Sequence, residues 1–298
     1  MIHPDSPFHP DNHAAYTRWR ESKLRDYPTS ADELVVPVAN PKSLTVAEHA
    51  ALLARLSKTN MAIYAAPDLG ADKDIPRRIG QQFGLQRLDA NLMSDEDAIT
   101  TLTVAEDEDK KGEFIPYTDR PIRWHTDGYY NPQGRWILGM MLHCVAPAAE
   151  GGENALLDHE MLYLLLRDQN PEHIRALMQE DAMSIPPRLG KNGDDNDIAR
   201  PEETGPVFST LPGGQLHMRY TARTRSINWK QDANTLAAVA AIEKLLAQNL
   251  PGMFRHRMTA GMGLICNNVL HDRTGFVDTP AQKRIIFRAR YYDRVDHT

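Results

Sequence analysis

Twelve histidines and 40 acidic residues stand in 298 positions, and three times a histidine is followed two residues later by an aspartate: His3 and Asp5, His9 and Asp11, His125 and Asp127. An imidazole nitrogen and a carboxylate oxygen are both ligands for a first-row divalent metal. On a strand alternate side chains point to one face, so such a pair can reach one ion. The bare pattern says little, because about 1.6 His-x-Asp/Glu matches are expected by chance at this composition. The two N-terminal copies read as that background. The third keeps different company. Far downstream, directly after a strand-like stretch over 263–269, stands Leu270-His271-Asp272-Arg273-Thr274-Gly275-Phe276. Two histidines and one carboxylate can bind Fe(II) on one face and leave about three coordination positions open for a co-substrate and oxygen. Thirteen residues past His271 comes Arg284, then Arg288 and Arg290. Arg284 and Arg288 are four apart and share a face of a strand. A guanidinium there can clamp a carboxylate through two parallel hydrogen bonds, which lysine cannot copy.

These groups must be carried by elements that hold them in register. Thr45-Val46-Ala47-Glu48 has capping-box spacing, and Ala51, Leu52, Leu53 and Leu56 recur at helical intervals, which predicts a helix over 45–58. Residues 61–65 read as a buried strand ended by Pro67, and 74–83 as a second helix stopped by Gly84. Short strands are expected over 136–144, 155–158, 215–227, 254–259, 264–269 and 284–292, with a turn at 150–152. Helices are expected over 161–167, 171–179 and 232–249. The charge run 106–111 reads as a solvated loop, and 189–203 as a polar loop long enough to serve as a lid. Helices first, then many short strands with a helical insertion, suggest a mainly β protein with flanking helices around a double-stranded β-helix, or jelly-roll, core. The reading is one domain over 1–298, with an N-terminal arm to residue 30, a mixed part over 31–118 and the jelly-roll over 119–292. The arm is read as lying on the surface or on a neighbouring subunit.

Composition narrows the classes. Hydrophobic residues are 41% and charged residues 25%, which is neither disordered nor collagen-like. No apolar run reaches the roughly 18 residues of a membrane helix. The N-terminus lacks a basic region followed by an apolar one, so no secretory signal is expected there. Two cysteines, Cys144 and Cys266, make no disulfide framework, and a reducing cytoplasm is the simplest setting. A net charge of −6 argues against nucleic acid as the main partner. No Gly-x-Ser-x-Gly, P-loop or dinucleotide fingerprint is present.

Three segments together resemble the taurine/2,4-D dioxygenase (TauD/TfdA) superfamily of Fe(II)/2-oxoglutarate-dependent oxygenases. They are His125-Thr126-Asp127; Leu142-His143-Cys144 followed by Gly151-Gly152 and Asp158; and the segment from Leu270 to Phe276 with its trailing arginines. The middle segment is also similar to the γ-butyrobetaine hydroxylase branch. The resemblance implies that His125, Asp127 and His271 ligate Fe(II) and that Arg284 binds the distal carboxylate of 2-oxoglutarate. Asn154, just past the Gly-Gly turn, would touch the co-substrate, and Arg288 would face an anionic substrate or support the site. O2 would be consumed with 2-oxoglutarate, giving succinate and CO2, while a C–H bond of a small polar substrate is oxidised. An amino acid, betaine or sulfonate fits that description. Family members often form dimers or tetramers, so a homo-oligomer to which the arm contributes is compatible with the resemblance. The competing readings are a non-catalytic metal-binding jelly-roll and an iron oxygenase that does not use 2-oxoglutarate.

Other residues have plainer readings beside their functional ones. Tyr129 and Tyr130 follow the metal triplet and could face substrate, or pack as ordinary strand residues. Arg219, with Arg223 and Arg225, could bind a substrate carboxylate or form surface ion pairs. His143 reads as a core histidine and His217 as a possible pocket residue. His159, His173 and His256 read as surface residues, and Cys266 as a small core hydrophobe.

Overall fold

The computed structural model describes residues 2–90, 95–105, 114–190, 198–224 and 227–298. The charge run 106–111, Arg225 and the middle of the expected lid, 191–197, lie outside them. The chain divides into two compact units, each assembled from separate stretches of sequence. The larger takes Tyr27–Arg123, Ile137–Asp158 and Gly252–Thr298; the smaller takes Met1–Asp26, Trp124–Trp136 and His159–Pro251.

The larger unit holds a six-stranded sheet in the order Val35–Pro37, Met61–Ala65, Met262–Cys266, Gly139–Ala146, Ile285–Tyr291, Thr100–Leu102. The first pair is parallel and the remaining pairs are antiparallel. A second sheet runs Met253–His256, Asn154–Leu157, Leu270–Arg273, with Ile122–His125 at its edge, where the chain leaves this unit. Alternation along the central strands explains the near-continuous apolar runs. Met61, Ile63, Met140, Leu142, Cys144, Leu264, Cys266 and Ile286 enter a core shared with Leu156 and Phe254 of the second sheet. Their neighbours Ala62, Tyr64, Met141, Ile265, Phe287 and Ala289 enter another core, with Leu52, Leu56 and Ile79 of the covering helices. A strand buried on both faces has no polar side to display. Two packed sheets with helices over one outer face make this mainly β chain a jelly-roll, as expected.

The helix Val46–Thr59 starts at Thr45, whose Oγ1 accepts the Glu48 N–H while the Glu48 carboxylate accepts the Thr45 N–H. Asn60 ends it in the left-handed region at φ 58°. The next helix is Asp74–Gln81, and Gly84 (φ +77°) turns the chain out of it.

The smaller unit carries the helices His13–Leu24, His159–Gln169, Pro171–Leu177 and Ala233–Leu246. Its N-terminal arm is a docked element within this unit. Tyr16 donates to Asp168 at 2.7 Å, and Arg167 donates to the carbonyls of Pro7, His9 and Pro10. Phe8, Trp19 and Tyr163 meet edge to face beside them. The strand expected over 215–227 is reduced to Leu216–Met218. Past it the backbone groups are taken singly: the Arg219 N–H bonds the Val207 carbonyl, the Tyr220 N–H the Thr126 hydroxyl, and the Ala222 N–H the Trp124 carbonyl. No continuous ladder can form with the donors spent that way.

Candidate metal and co-substrate site

In the smaller unit, His125 closes the strand Ile122–His125 and forms an antiparallel bridge with Thr221. Thr126 is fully buried; its N–H donates to the Tyr220 carbonyl at 3.0 Å and its hydroxyl accepts the Tyr220 N–H at 3.1 Å. The residues on either side of Thr126 are thereby fixed. Gly128, at φ +63°, turns the chain directly after Asp127. His125 Nε2 and Asp127 Oδ1 lie 3.7 Å apart. That is too long for a hydrogen bond. It is short enough for one ion with bonds of about 2.0–2.2 Å to touch both atoms.

Tyr129 and Tyr130 follow, rings edge to face at 5.2 Å, with the Arg200 guanidinium 5.8 Å over Tyr130. Arg219 is buried, and its Nε and Nη2 both donate to the Tyr129 carbonyl at 3.1 and 2.9 Å. Burial pushes this guanidinium down to about 10. Burial also raises the Tyr129 phenol, against hydrogen bonds from Arg223 and Thr221 that lower it. His217 stacks on Trp136 at 4.9 Å. His159, read from the sequence as a surface residue, is 1% exposed, its Nε2 3.0 Å from the Leu216 carbonyl. The helix it begins packs inward, and that contact lets the ring be buried.

In the larger unit, His271 is buried on Leu270–Arg273, opposite Leu156. Its Nδ1 lies 3.0 Å from the Val269 carbonyl. A carbonyl only accepts, so the ring proton sits on Nδ1 and Nε2 presents a lone pair, the tautomer a metal-ligating histidine needs. Asp272 ties this strand to its neighbour: its carboxylate accepts the Ala155 N–H and its carbonyl accepts Asn154 Nδ2 at 2.7 Å. Arg273 donates to the carbonyls of Thr118 and Arg120, fastening the same strand to the loop before Ile122.

Arg284 is different. It is 5% exposed, and its guanidinium donates no hydrogen bond to a described residue. It lies 5.2 Å over the Phe276 ring, and burial pulls it down to about 10. Gly152 lies beside it: a Cβ there would stand 3.5 Å from Nε, in ordinary contact. Arg288 is half-buried, opposite Leu142 and Thr100. Asn154 is buried with Oδ1 unpartnered. Its register partner His256 also has a buried Nε2 with no partner. Sequence reading had placed His256 on the surface. The signal it missed was alternation, because Phe254, His256 and Met258 fall on one face and the flanking pair belongs to the inter-sheet core.

The donor chemistry fits Fe(II): an imidazole whose tautomer is fixed by the Val269 carbonyl, and a second imidazole beside a carboxylate. Arg284 fits a dicarboxylate co-substrate, being a buried cation without an anion in bonding distance among the described residues.

A jelly-roll with these groups defines an oxygenase class. Residues 28–290 match the model of the taurine catabolism dioxygenase TauD, TfdA family, and the chain belongs to that family. It is 30% identical to a uridine-5'-phosphate dioxygenase from a Streptomyces species, over 71% of this chain and 76% of that one. Among solved structures, the non-heme iron oxygenase OrfP in complex with Fe, succinate and (3S)-hydroxy-L-Arg aligns at TM-score 0.61 and 14% identity, over 83% and 81% of the two chains. The PvcB protein of Pseudomonas aeruginosa aligns at 0.57 and 14%, over 87% and 85%. The protein is a dioxygenase of the Fe(II)/2-oxoglutarate type, with 2-oxoglutarate and O2 as co-substrates. That removes the reading as a silent jelly-roll. No helix among the described residues is long and apolar enough to cross a membrane.

Proposed function

We propose that His125, Asp127 and His271 hold the Fe(II), that Arg284 binds the distal carboxylate of 2-oxoglutarate, and that Asn154 borders the co-substrate. Each supplies a donor within its own unit: His125 Nε2 stands 3.7 Å from Asp127 Oδ1, and the His271 ring is fixed through Nδ1 on the Val269 carbonyl. The bound metal supplies the oxidising chemistry; the chain fixes ligands, orients co-substrate and substrate and keeps water out. The observation that carries the reading is Arg284, a buried guanidinium with no hydrogen-bond acceptor among the described residues.

The enzyme hydroxylates a C–H bond of a small polar molecule in the cytoplasm. Tyr129, Tyr130, Arg219 and Arg288 border that substrate, with Arg219 acting by fixing the Tyr129 carbonyl. An amino acid, betaine or sulfonate is one class. A nucleoside 5'-monophosphate is the second, favoured by the named activity of the relative at 30% identity. The test has two steps. Adding 2-oxoglutarate to the Fe(II)-loaded protein without oxygen should raise the weak visible charge-transfer band of the chelate, and Asp127→Ala should remove it together with iron retention. Normal iron uptake with no band in the unaltered protein would defeat the assignment. Substrate-stimulated succinate release across the two classes then chooses between them. His9→Ala should leave iron content unchanged; loss of a full equivalent would mean the wrong triplet was chosen.

A further inference from the structure

The space between the two sheets of the larger unit is not completely filled. A small cavity with room for about one water is lined by Ile63, Leu156, Met258 and Leu264, with two polar exceptions, Asn154 and His256. Those two face each other across neighbouring strands as register partners. Asn154 cannot turn its amide over freely, because Nδ2 is held by the Asp272 carbonyl at 2.7 Å. Oδ1 is therefore left as an acceptor, shut off from solvent and without a partner. His256 Nε2 is equally shut off. Buried polar atoms in native proteins nearly always have partners, and a dry orphan costs about 1–3 kcal/mol. Two of them lining one apolar cavity point to an occupant.

A single water between them would accept from His256 Nε2–H and donate to Asn154 Oδ1. It then has one hydrogen left. The stretches of chain that line the cavity also pass beside Arg284. Gly152, two residues before Asn154, would place a Cβ 3.5 Å from Arg284 Nε. Cys144, whose thiol feels the Arg284 charge, lies with Sγ 3.7 Å from the carbonyl of the lining residue Met258. We propose that Asn154 and His256 form an inner co-substrate subsite, holding one ordered water that donates to a carboxylate oxygen of 2-oxoglutarate. His256 is then a positioning residue for the co-substrate. The proposal rests on the reading that Arg284 receives that carboxylate. A bridging water serves here nearly as well as a direct hydrogen bond. Burial holds the His256 ring below its ordinary value, so it stays neutral, with one nitrogen protonated, at neutral pH.

The experiment is an anaerobic titration of the Fe(II)-loaded protein with 2-oxoglutarate, read by the chelate absorbance. His256→Phe fills the cavity and removes the donor, and should raise the 2-oxoglutarate Kd about tenfold, with kcat at saturating co-substrate within about twofold. His256→Gln restores a donor and should return the Kd to within about threefold of the unaltered value. Unchanged affinity in the phenylalanine variant overturns the subsite. Should that variant not fold, His256→Ala replaces it, with a Kd rise of at least about threefold expected and an unchanged Kd overturning the subsite. A missing band in the unaltered protein instead defeats the Arg284 reading on which the subsite depends. A normal band that ignores His256 defeats the subsite alone.

Discussion

On the helix-covered side of the six-stranded sheet, buried polar side chains have found each other. Tyr64 Oη lies 2.8 Å from His143 Nδ1, and the Tyr291 hydroxyl donates to the Pro76 carbonyl at 3.2 Å. On the side facing the second sheet, Arg284 has no acceptor among the described residues, and Asn154 Oδ1 and His256 Nε2 have no partner among them. Both sides are lined by the same strands and are equally apolar in their majority. The difference teaches where to look for a ligand in a core: not at the polar groups as such, but at those whose bonding is left incomplete. Paired polarity in a core settles one packing, whereas unmet polarity is costly unless something arrives to meet it.

The largest effect should come from Arg284→Met. Removing one side of a buried charge pair costs about 2–5 kcal/mol of binding, so the 2-oxoglutarate Kd should rise by at least about 30-fold. The protein without co-substrate should lose no thermal stability, because the substitution deletes an uncompensated buried charge and leaves an apolar side chain of similar length. What disappears is the rise in Tm on adding 2-oxoglutarate to the iron-loaded protein. A large drop in Tm without co-substrate, with co-substrate affinity kept, would erase the contrast between the two sides.

The paired side should answer to pH instead. Burial pulls His143 down to about 4 from an ordinary value near 6.5. Between those values the unfolded chain binds a proton there that the folded chain does not. Stability from this residue is therefore complete above about pH 6.5 and is lost as pH falls toward 4, by up to about 3 kcal/mol. Urea unfolding at pH 7.5, 5.5 and 4.5 should show that slope in the unaltered protein and a shallower one in His143→Phe. Equal slopes would mean that His143 charges freely in the folded state.

Most of what positions the site is legible in the residues alone. Residues 61–65 announce a strand because both of its faces are buried, and Thr45 with Glu48 marks the first turn of a helix through a purely local exchange of hydrogen bonds. The triplet at His125 and the arginine thirteen residues past His271 are readable because the chemistry they suggest demands those types. What escapes is whatever depends on a distant partner. His13–Leu24 has almost no apolar stripe, and Tyr16 and Lys23 are buried only through Asp168 and Glu160, well over a hundred residues away. The stretch 215–227 looks like a strand until its N–H groups are claimed one at a time. His256 looks like a surface histidine until its cross-strand neighbour is known.

Two smaller substitutions sharpen the contrast from the paired side. Tyr64→Phe removes one partner of the Tyr64–His143 bond and should cost about 1–3 kcal/mol in urea unfolding, with the 2-oxoglutarate Kd unchanged. A shift in that Kd would mean that the two sides communicate through the strands they share.

Thr45→Ala should cost least, about 1 kcal/mol, since it removes only the hydroxyl that accepts the Glu48 N–H. The Glu48 carboxylate still accepts the N–H groups of Thr45 and Ala39, so the first turn is weakened rather than lost. The helix it begins supplies Leu52 and Leu56, both fully buried against the outer face of the sheet. Its loosening should lower Tm by a few degrees and leave co-substrate binding alone. Were this distant cap to change the 2-oxoglutarate Kd as much as His256→Phe does, the affinity would be tracking global stability. The unmet groups between the sheets would then have no special claim on the ligand.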